Sequence, residues 1–237
     1  LPAFLVLYIR RHVPESPDWT EHRERRQHVG LLQVLRTHAK LAIFAIVMMM
    51  AFNFFSHGTQ DLYVSFLQKE QGLPDSTVSI IAVIYNIGAM LGGLGFGTLS
   101  QRIGRRAAIV IACVLSLAAI PLWAFSHTAV MLALGAFLMQ VCVQGAWGVV
   151  PVHLNELSPP DIRATFPGLT YQIGNFLASY NANIQTGLAA SMGGLAWPLA
   201  IVAGCSAIVI AVLVALGPEA RHVRMGREHV GEALAAD

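Results

Sequence analysis

Asn53, Ser56, His57, Gln60 and Asp61 recur at i, i+3, i+4, i+7 and i+8 in the stretch 41–67, which is otherwise rich in Phe, Met, Ile, Leu and Ala. That spacing places all five on one helical face. His57 and Asp61, one turn apart, are within reach of each other, and an imidazole–carboxylate pair balanced between burial and mutual charge can take up and release a proton near neutral pH. Such a face is costly in an apolar helix, about 2.5–3.5 kcal/mol for an Asp at mid-bilayer, so it should meet protein or a water-filled path. The plainer alternative leaves His57 in an interhelical hydrogen bond and Asp61 at an outer membrane interface, since at ~1.5 Å per residue Asp61 stands about 30 Å from Leu41.

A second polar set, Tyr171, Gln172, Asn175, Ser179 and Asn183, also fits one helical face, and Gln140, Gln144, Trp147, Tyr85 and Asn86 add amides and rings from other apolar runs. These groups suit hydrogen bonding to a small polar solute, and equally suit interhelical bonds of roughly 1 kcal/mol each. No Lys or Arg stands in the middle of a full apolar run. An anionic solute would therefore take its counter-charge from protonated His57 or from outside this chain. No GxSxG, HExxH, CxxC or phosphate-loop pattern is present, so neither an enzyme activity nor a metal or cofactor is expected. Cys113, Cys142 and Cys205 sit at unrelated positions inside apolar runs and read as packing residues.

The elements that must position these residues follow from composition. Of 237 residues 55% are hydrophobic and only 12% charged, with mean hydropathy +0.60, too little polar surface to cover a water-soluble globule. Apolar runs near the ~20 residues needed to cross a bilayer lie at about 39–67, 76–99, 106–125, 129–153, 164–190 and 194–217, which predicts six spans. Leu1 to Ile9 is apolar, too short to span, and followed by Arg10 and Arg11, unlike a signal peptide. It is expected to be the end of a span that begins outside this sequence.

Basic residues cluster before the first span (Arg10, Arg11, Arg23, Arg25, Arg26, Arg36, Lys40), after the second (Arg102, Arg105, Arg106), after the fourth (Arg163) and after the sixth (Arg221, Arg224, Arg227), leaving Lys69 on the other side. The positive-inside rule makes that side cytoplasmic. The net charge of +2 thus concerns orientation, and no nucleic-acid partner is implied. Residues 11–38 are the one long polar segment, read as a linker, although its tail from Arg23 to Lys40 could form an amphipathic helix. Gly88, Gly92, Gly93, Gly95 and Gly97 form overlapping GxxxG spacings that let helices approach closely. Pro121, Pro151 and Pro198 lie within or near span ends and can bend them.

Three segments resemble one family. Gly97-Thr-Leu-Ser-Gln-Arg-Ile-Gly-Arg-Arg106 resembles the GxLxDRxGRR signature of the major facilitator superfamily, with Gln101 where the signature has Asp. Pro14-Glu-Ser-Pro-Asp-Trp19 is similar to the PESP motif that follows helix six of sugar-porter-like members, and Glu156-Leu-Ser-Pro159 with Arg163 is similar to their ExxPxxxR motif. The three occur in the right order and cover essentially the whole chain. A narrower likeness joins Asn53, Ser56, His57, Thr59, Gln60, Asp61 and Ser65 to the Nxx(S/T)Hx(S/T)QDxxxT motif of the sialate and lactate proton symporters, including Jen-type permeases, with Ser65 in place of Thr.

The resemblance implies an all-α membrane protein, its six-helix bundle corresponding to helices seven to twelve of a twelve-helix fold. Residues 1–10 would end helix six, 11–38 form a cytoplasmic central loop, 39–217 the bundle and 218–237 a cytoplasmic tail. It implies a proton-coupled symporter for a small organic anion, lactate or pyruvate first, in the plasma membrane, working by alternating access with an N-terminal half. His57 and Asp61 would couple the proton; Asn53, Ser56, Gln60, Gln172 and Asn175 would bind the solute. Gly97, Gln101, Arg102, Gly104, Arg105, Arg106, Glu156 and Arg163 would form the cytoplasmic motif. Two alternatives stand beside it: the same fold carrying sialate, an aromatic acid or a dicarboxylate, and a truncated fragment that transports nothing.

Overall fold

Where backbone groups cannot turn to water they must be satisfied within their own segment, and apolar runs of this length do so as helices. The computed structural model describes residues 36–159 and 162–218, and every regular element among them is α-helical. The expected end of helix six (1–10), the PESP segment, most of the 11–38 linker and nearly all of the 218–237 tail lie outside the described residues. The helices are α1 (Ala39–Gln60), α2 (Tyr63–Lys69), α3 (Asp75–Ile103), α4 (Arg105–Ala124), α5 (Ala129–Leu157), α6 (Phe166–Ala178), α7 (Asn181–Met192) and α8 (Ala196–Leu216).

Five runs are long and apolar enough to cross a membrane: Ala39–Lys69, which joins α1 and α2, then α3, α4, α5 and α8. Two of the six expected spans are not single helices. The first is interrupted after Gln60, Asp61 and Leu62 forming a turn before α2. The fifth divides at Ser179–Tyr180 into α6, 13 residues, and α7, 12 residues, each too short alone to cross ~30 Å of hydrocarbon.

Packing is set by where side chains are small. α3 lies against α5 along its glycines: a Cβ at Gly88 would stand 2.6 Å from the Phe137 carbonyl oxygen, and one at Gly148 would stand 2.5 Å from that of Gly93. α5 meets α4 at Gly135, and α6 meets α1 at Gly174, where a Cβ would come within 2.7 Å of Met49 Cβ. α8 packs on both α4 and α1, and α7 on α8 and α1. The core so formed buries Met48, Met49, Phe52, Phe55, Ile109, Met139 and Ile210, while Ile80, Val83, Ile87, Met90, Leu91 and Leu94 leave an outward face of α3 apolar and exposed.

The ends are tied by capping groups. Gly104, with φ +95°, alone separates α3 from α4, a backbone conformation a side chain would strain. Arg106 donates to the carbonyls of Val214 and Ala215, putting a cation on the last turn of α8, where free carbonyls and the helix dipole favour it. At the opposite end Glu70 Oε1 accepts from Leu195 N at 2.6 Å, a carboxylate at the start of α8. Tyr63 stacks on Trp123 at 5.0 Å and its hydroxyl donates to the Trp123 and Leu132 carbonyls.

Candidate functional site

The polar face of α1 forms where its last two turns approach α5. His57 Nδ1 and Asp61 Oδ1 are 3.2 Å apart, with side chains 45% and 43% exposed. The pair is therefore assembled, as the i, i+4 spacing predicts, and open to solvent on one side. One residue earlier in each turn, Ser56 Oγ accepts from Gln60 Nε2 at 3.1 Å and from Gln144 Nε2 of α5 at 3.4 Å. Below this, Trp147 of α5 makes edge contacts with Phe52 of α1 at 5.6 Å and with Tyr171 of α6 at 6.0 Å. Three helices thus converge on one locus of amides, hydroxyl and rings. The indole Nε1 of Trp147 is buried without a hydrogen-bond partner, at a cost of roughly 1–3 kcal/mol.

The expected solute-binding residues divide. Ser56 and Gln60 belong to this locus. Asn53 is 1% exposed and its Nδ2 donates to Met49 O at 2.8 Å, so its amide is engaged with its own helix. Gln172 is exposed and Asn175 half-buried on α6, on the helix that supplies Tyr171. Thr59 of the motif donates to the Phe55 and Ser56 carbonyls and is buried.

The structure adds a pair that the sequence reading passed over. Asn181 and Gln185 of α7 are 2% and 0% exposed, and Gln185 Nε2 donates to Gly58 O at 2.8 Å, across 127 residues of chain. Their N-x-N-x-Q pattern was a usable signal: the pair continues, past the break at Ser179–Tyr180, the side of the span that buries Thr170, Gly174 and Ala178, while Gln172, Ser179 and Asn183 of the expected polar face are exposed.

At the other end of the bundle the basic motif forms a closed network. Arg105 holds Glu156 with Nη2–Oε1 at 3.0 Å and Nε at 3.3 Å from both oxygens, while its Nη1 donates to Ser100 Oγ at 2.8 Å and Ser100 in turn donates to Gly97 O. The side chains of the pair are 14% and 8% exposed. Gly97, Gly104, Arg105, Arg106 and Glu156 are thereby joined across α3, α4, α5 and α8. Gln101 and Arg102 are exposed in the last turn of α3. Arg163 is half-buried with its Nε unpartnered, so among the described residues Glu156 pairs with Arg105 rather than Arg163. No cluster of potential metal ligands occurs among the described residues.

Membrane-length helices with apolar outer faces, joined at one end by an ion pair and converging elsewhere on hydroxyl, amide and imidazole, have the build of a multi-pass membrane protein. The chain belongs to the family described as Sugar (and other) transporter, within the major facilitator superfamily, whose profile matches residues 38–233. It is 35% identical over 171 residues to a carboxylic acid transporter protein homolog of Saccharomyces cerevisiae, covering 70% of this chain and 27% of the yeast protein. It is 28% identical over 178 residues to the sialic acid transporter NanX of Escherichia coli, covering 73% and 43%. It is 25% identical over 242 residues to a probable 4-methylmuconolactone transporter of Cupriavidus pinatubonensis, covering 98% and 54%. The chain thus spans between about a quarter and a half of the length of these relatives.

Proposed function

We propose that this chain is the C-terminal six-helix half, helices seven to twelve, of a proton-coupled symporter for a small monocarboxylate such as lactate or pyruvate. The observation that carries the reading is the 3.2 Å His57–Asp61 pair beside the Ser56–Gln60–Gln144 cluster, whose α1 members directly precede it in sequence: a group able to exchange a proton beside donors able to hold a carboxylate. The yeast relative, named for carboxylic acids, supports the solute class. Protonated His57 supplies the counter-charge that no Lys or Arg provides inside the spans, and Ser56, Gln60, Gln144 and the Trp147 N–H offer hydrogen bonds, with Gln172 and Asn175 lining the approach from α6. Asn53, held by Met49 O, shapes the helix behind them. A monocarboxylate and a proton entering together move no net charge, so the pH gradient drives uptake and the membrane potential, ~2.3 kcal/mol per charge per 100 mV, does not.

Alternating access arises from rocking of this bundle against a preceding six-helix half about a midplane site. The Arg105–Glu156 end faces the cytoplasm of a plasma-membrane protein, with both ends of this segment on that side. The likeness to a sialic acid transporter supports a second reading in which the same pair serves a larger sugar acid. Uptake of labelled lactate by the full reading frame under an imposed pH jump tests the first reading, and competition by sialate separates the two. Proton-driven uptake that persists unchanged in both Asp61→Asn and His57→Ala would remove these residues from the mechanism.

A further inference from the structure

We propose that Asn181 and Gln185 form a hydrated amide latch that positions the α1 turn carrying His57 and Asp61. The two residues stand one turn apart at the start of α7, immediately after the break in the fifth span, and both are essentially fully buried. They address the backbone of α1 between the pair: Gly58 follows His57 directly, and its carbonyl receives Gln185 Nε2 at 2.8 Å. Gly58 has no side chain because nothing larger fits. A Cβ there would lie 2.7 Å from Val202 Cγ1, 3.3 Å from Gln185 Nε2 and 3.6 Å from Asn181 Oδ1.

The rest of the two amides is not engaged by protein. Asn181 Nδ2, Asn181 Oδ1 and Gln185 Oε1 are buried without hydrogen-bond partners, within a few ångströms of the same point. One donor and two acceptors match the capacity of water, which donates twice and accepts, and buried waters characteristically bond about three such groups. Leucine would fill the same volume without the desolvation cost of an unpaired amide. The amides are explained if Gln185 fixes the turn directly and water bound by both residues completes the contact. This rests on the reading of His57 and Asp61 as the proton pair. Around that pair α5 brings Gln144, α7 brings Asn181 and Gln185, and α8 brings Val202. α6 packs lower on α1, through Gly174. On α2 the titratable groups are Tyr63, whose hydroxyl is bonded to Trp123 and Leu132, and, at its far end, Lys69 with Glu70, which is bonded to Leu195.

The test uses Asn181→Leu and Gln185→Leu in the full-length protein, read by uptake across a pH series and by thermal unfolding after purification. The latch predicts a displaced pH of half-maximal uptake, a KM for lactate raised about five- to tenfold, as for one lost hydrogen bond of this kind, and a lower melting temperature. Idle amides give the opposite sign, a melting temperature that stays or rises with KM and pH profile unchanged, and that result overturns the proposal. If Gln185→Leu does not reach the membrane, Gln185→Glu substitutes. A protonated carboxyl can still donate to Gly58 O, so uptake should fail at high pH and recover in acid, and a wild-type profile is again the overturning result. The proton-pair reading fails separately, when Asp61→Asn and His57→Ala leave coupling intact, and the melting comparison stands whatever the solute is.

Discussion

At the Arg105 end of the bundle the charged groups of the motif are enclosed and paired: Arg105 meets both oxygens of Glu156 and Ser100, and Arg106 closes the last turn of α8, while the His153 ring and Arg163 Nε stand beside them without partners. At the Asp61 end the first and fifth spans are interrupted, the His57–Asp61 pair is nearly half exposed, and the Asn181 amide and Gln185 Oε1 stand without partners, as does the Trp147 indole below them. The first arrangement holds four helices in one geometry. The second leaves its imidazole–carboxylate pair open, with the Asn181 and Gln185 amides beside it unpaired by protein. Related residue types, Arg or His with a carboxylate, are enclosed in one place and open in the other, and the proposed proton exchange falls to the open pair.

The largest effect expected from breaking this contrast is at the rigid end. Arg105→Ala leaves Glu156, 8% exposed, as an uncompensated carboxylate, and breaking a pair of this kind costs about 3–5 kcal/mol. Thermal unfolding of the purified protein should show a clear drop in melting temperature. A drop no larger than that of Lys69→Ala, an exposed residue, would mean that the network does not hold the helices together.

Next in size is the α3–α5 seam. Gly148→Ala would place a methyl 2.5 Å from the Gly93 carbonyl oxygen and 2.9 Å from its Cα, and overpacking of this sort costs roughly 1–3 kcal/mol. Gly95→Ala is the control, because a Cβ there meets nothing within 4 Å and helix propensity alone makes it neutral or stabilising. Comparing the two melting temperatures isolates packing from propensity.

At the exchange end stability and transport should separate. Asp61→Asn removes an exposed ion pair worth less than about 1 kcal/mol to stability, so melting should barely change while proton-driven uptake falls by about tenfold or more, a loss of at least ~1.4 kcal/mol of coupling. Measuring both on one preparation sharpens the comparison: a large fall in melting temperature would place Asp61 with the structural pairs instead.

Much of this was legible in the chain. The spacing of His57 and Asp61 predicts their contact, and the contact is present; the glycines of the second span predict close approach, and Gly88 and Gly92 lie at the α3–α5 seam. Each half of the Arg105–Glu156 pair stood in a recognisable motif, but their pairing spans 51 residues and no local pattern states it. The breaks at Asp61–Leu62 and Ser179–Tyr180 carry no Pro or Gly, the residues by which helix ends are usually read. Asn181 and Gln185 lie on the side of the fifth span that also buries Thr170, Gly174 and Ala178, away from the face of Tyr171, Gln172, Asn175, Ser179 and Asn183, and a count that followed that face alone missed them.

The smallest expected effect discriminates most finely between the two ends. Trp147→Phe keeps a ring between Phe52 and Tyr171, at 5.6 and 6.0 Å, and deletes only the unpartnered N–H. Were Trp147 part of a structural network like that of Arg105, losing its polar group would lower the melting temperature. Removing a buried donor that bonds no protein group should instead leave stability unchanged or slightly raised. If that donor meets a carboxylate during transport, the KM for lactate should rise by about tenfold or more, as expected for one hydrogen bond to a charged group, with the maximal rate much less affected because the ring still fills its place. Unchanged melting with unchanged KM would show that the indole is there for its ring alone, and would move the carboxylate contact to Ser56, Gln60 and Gln144.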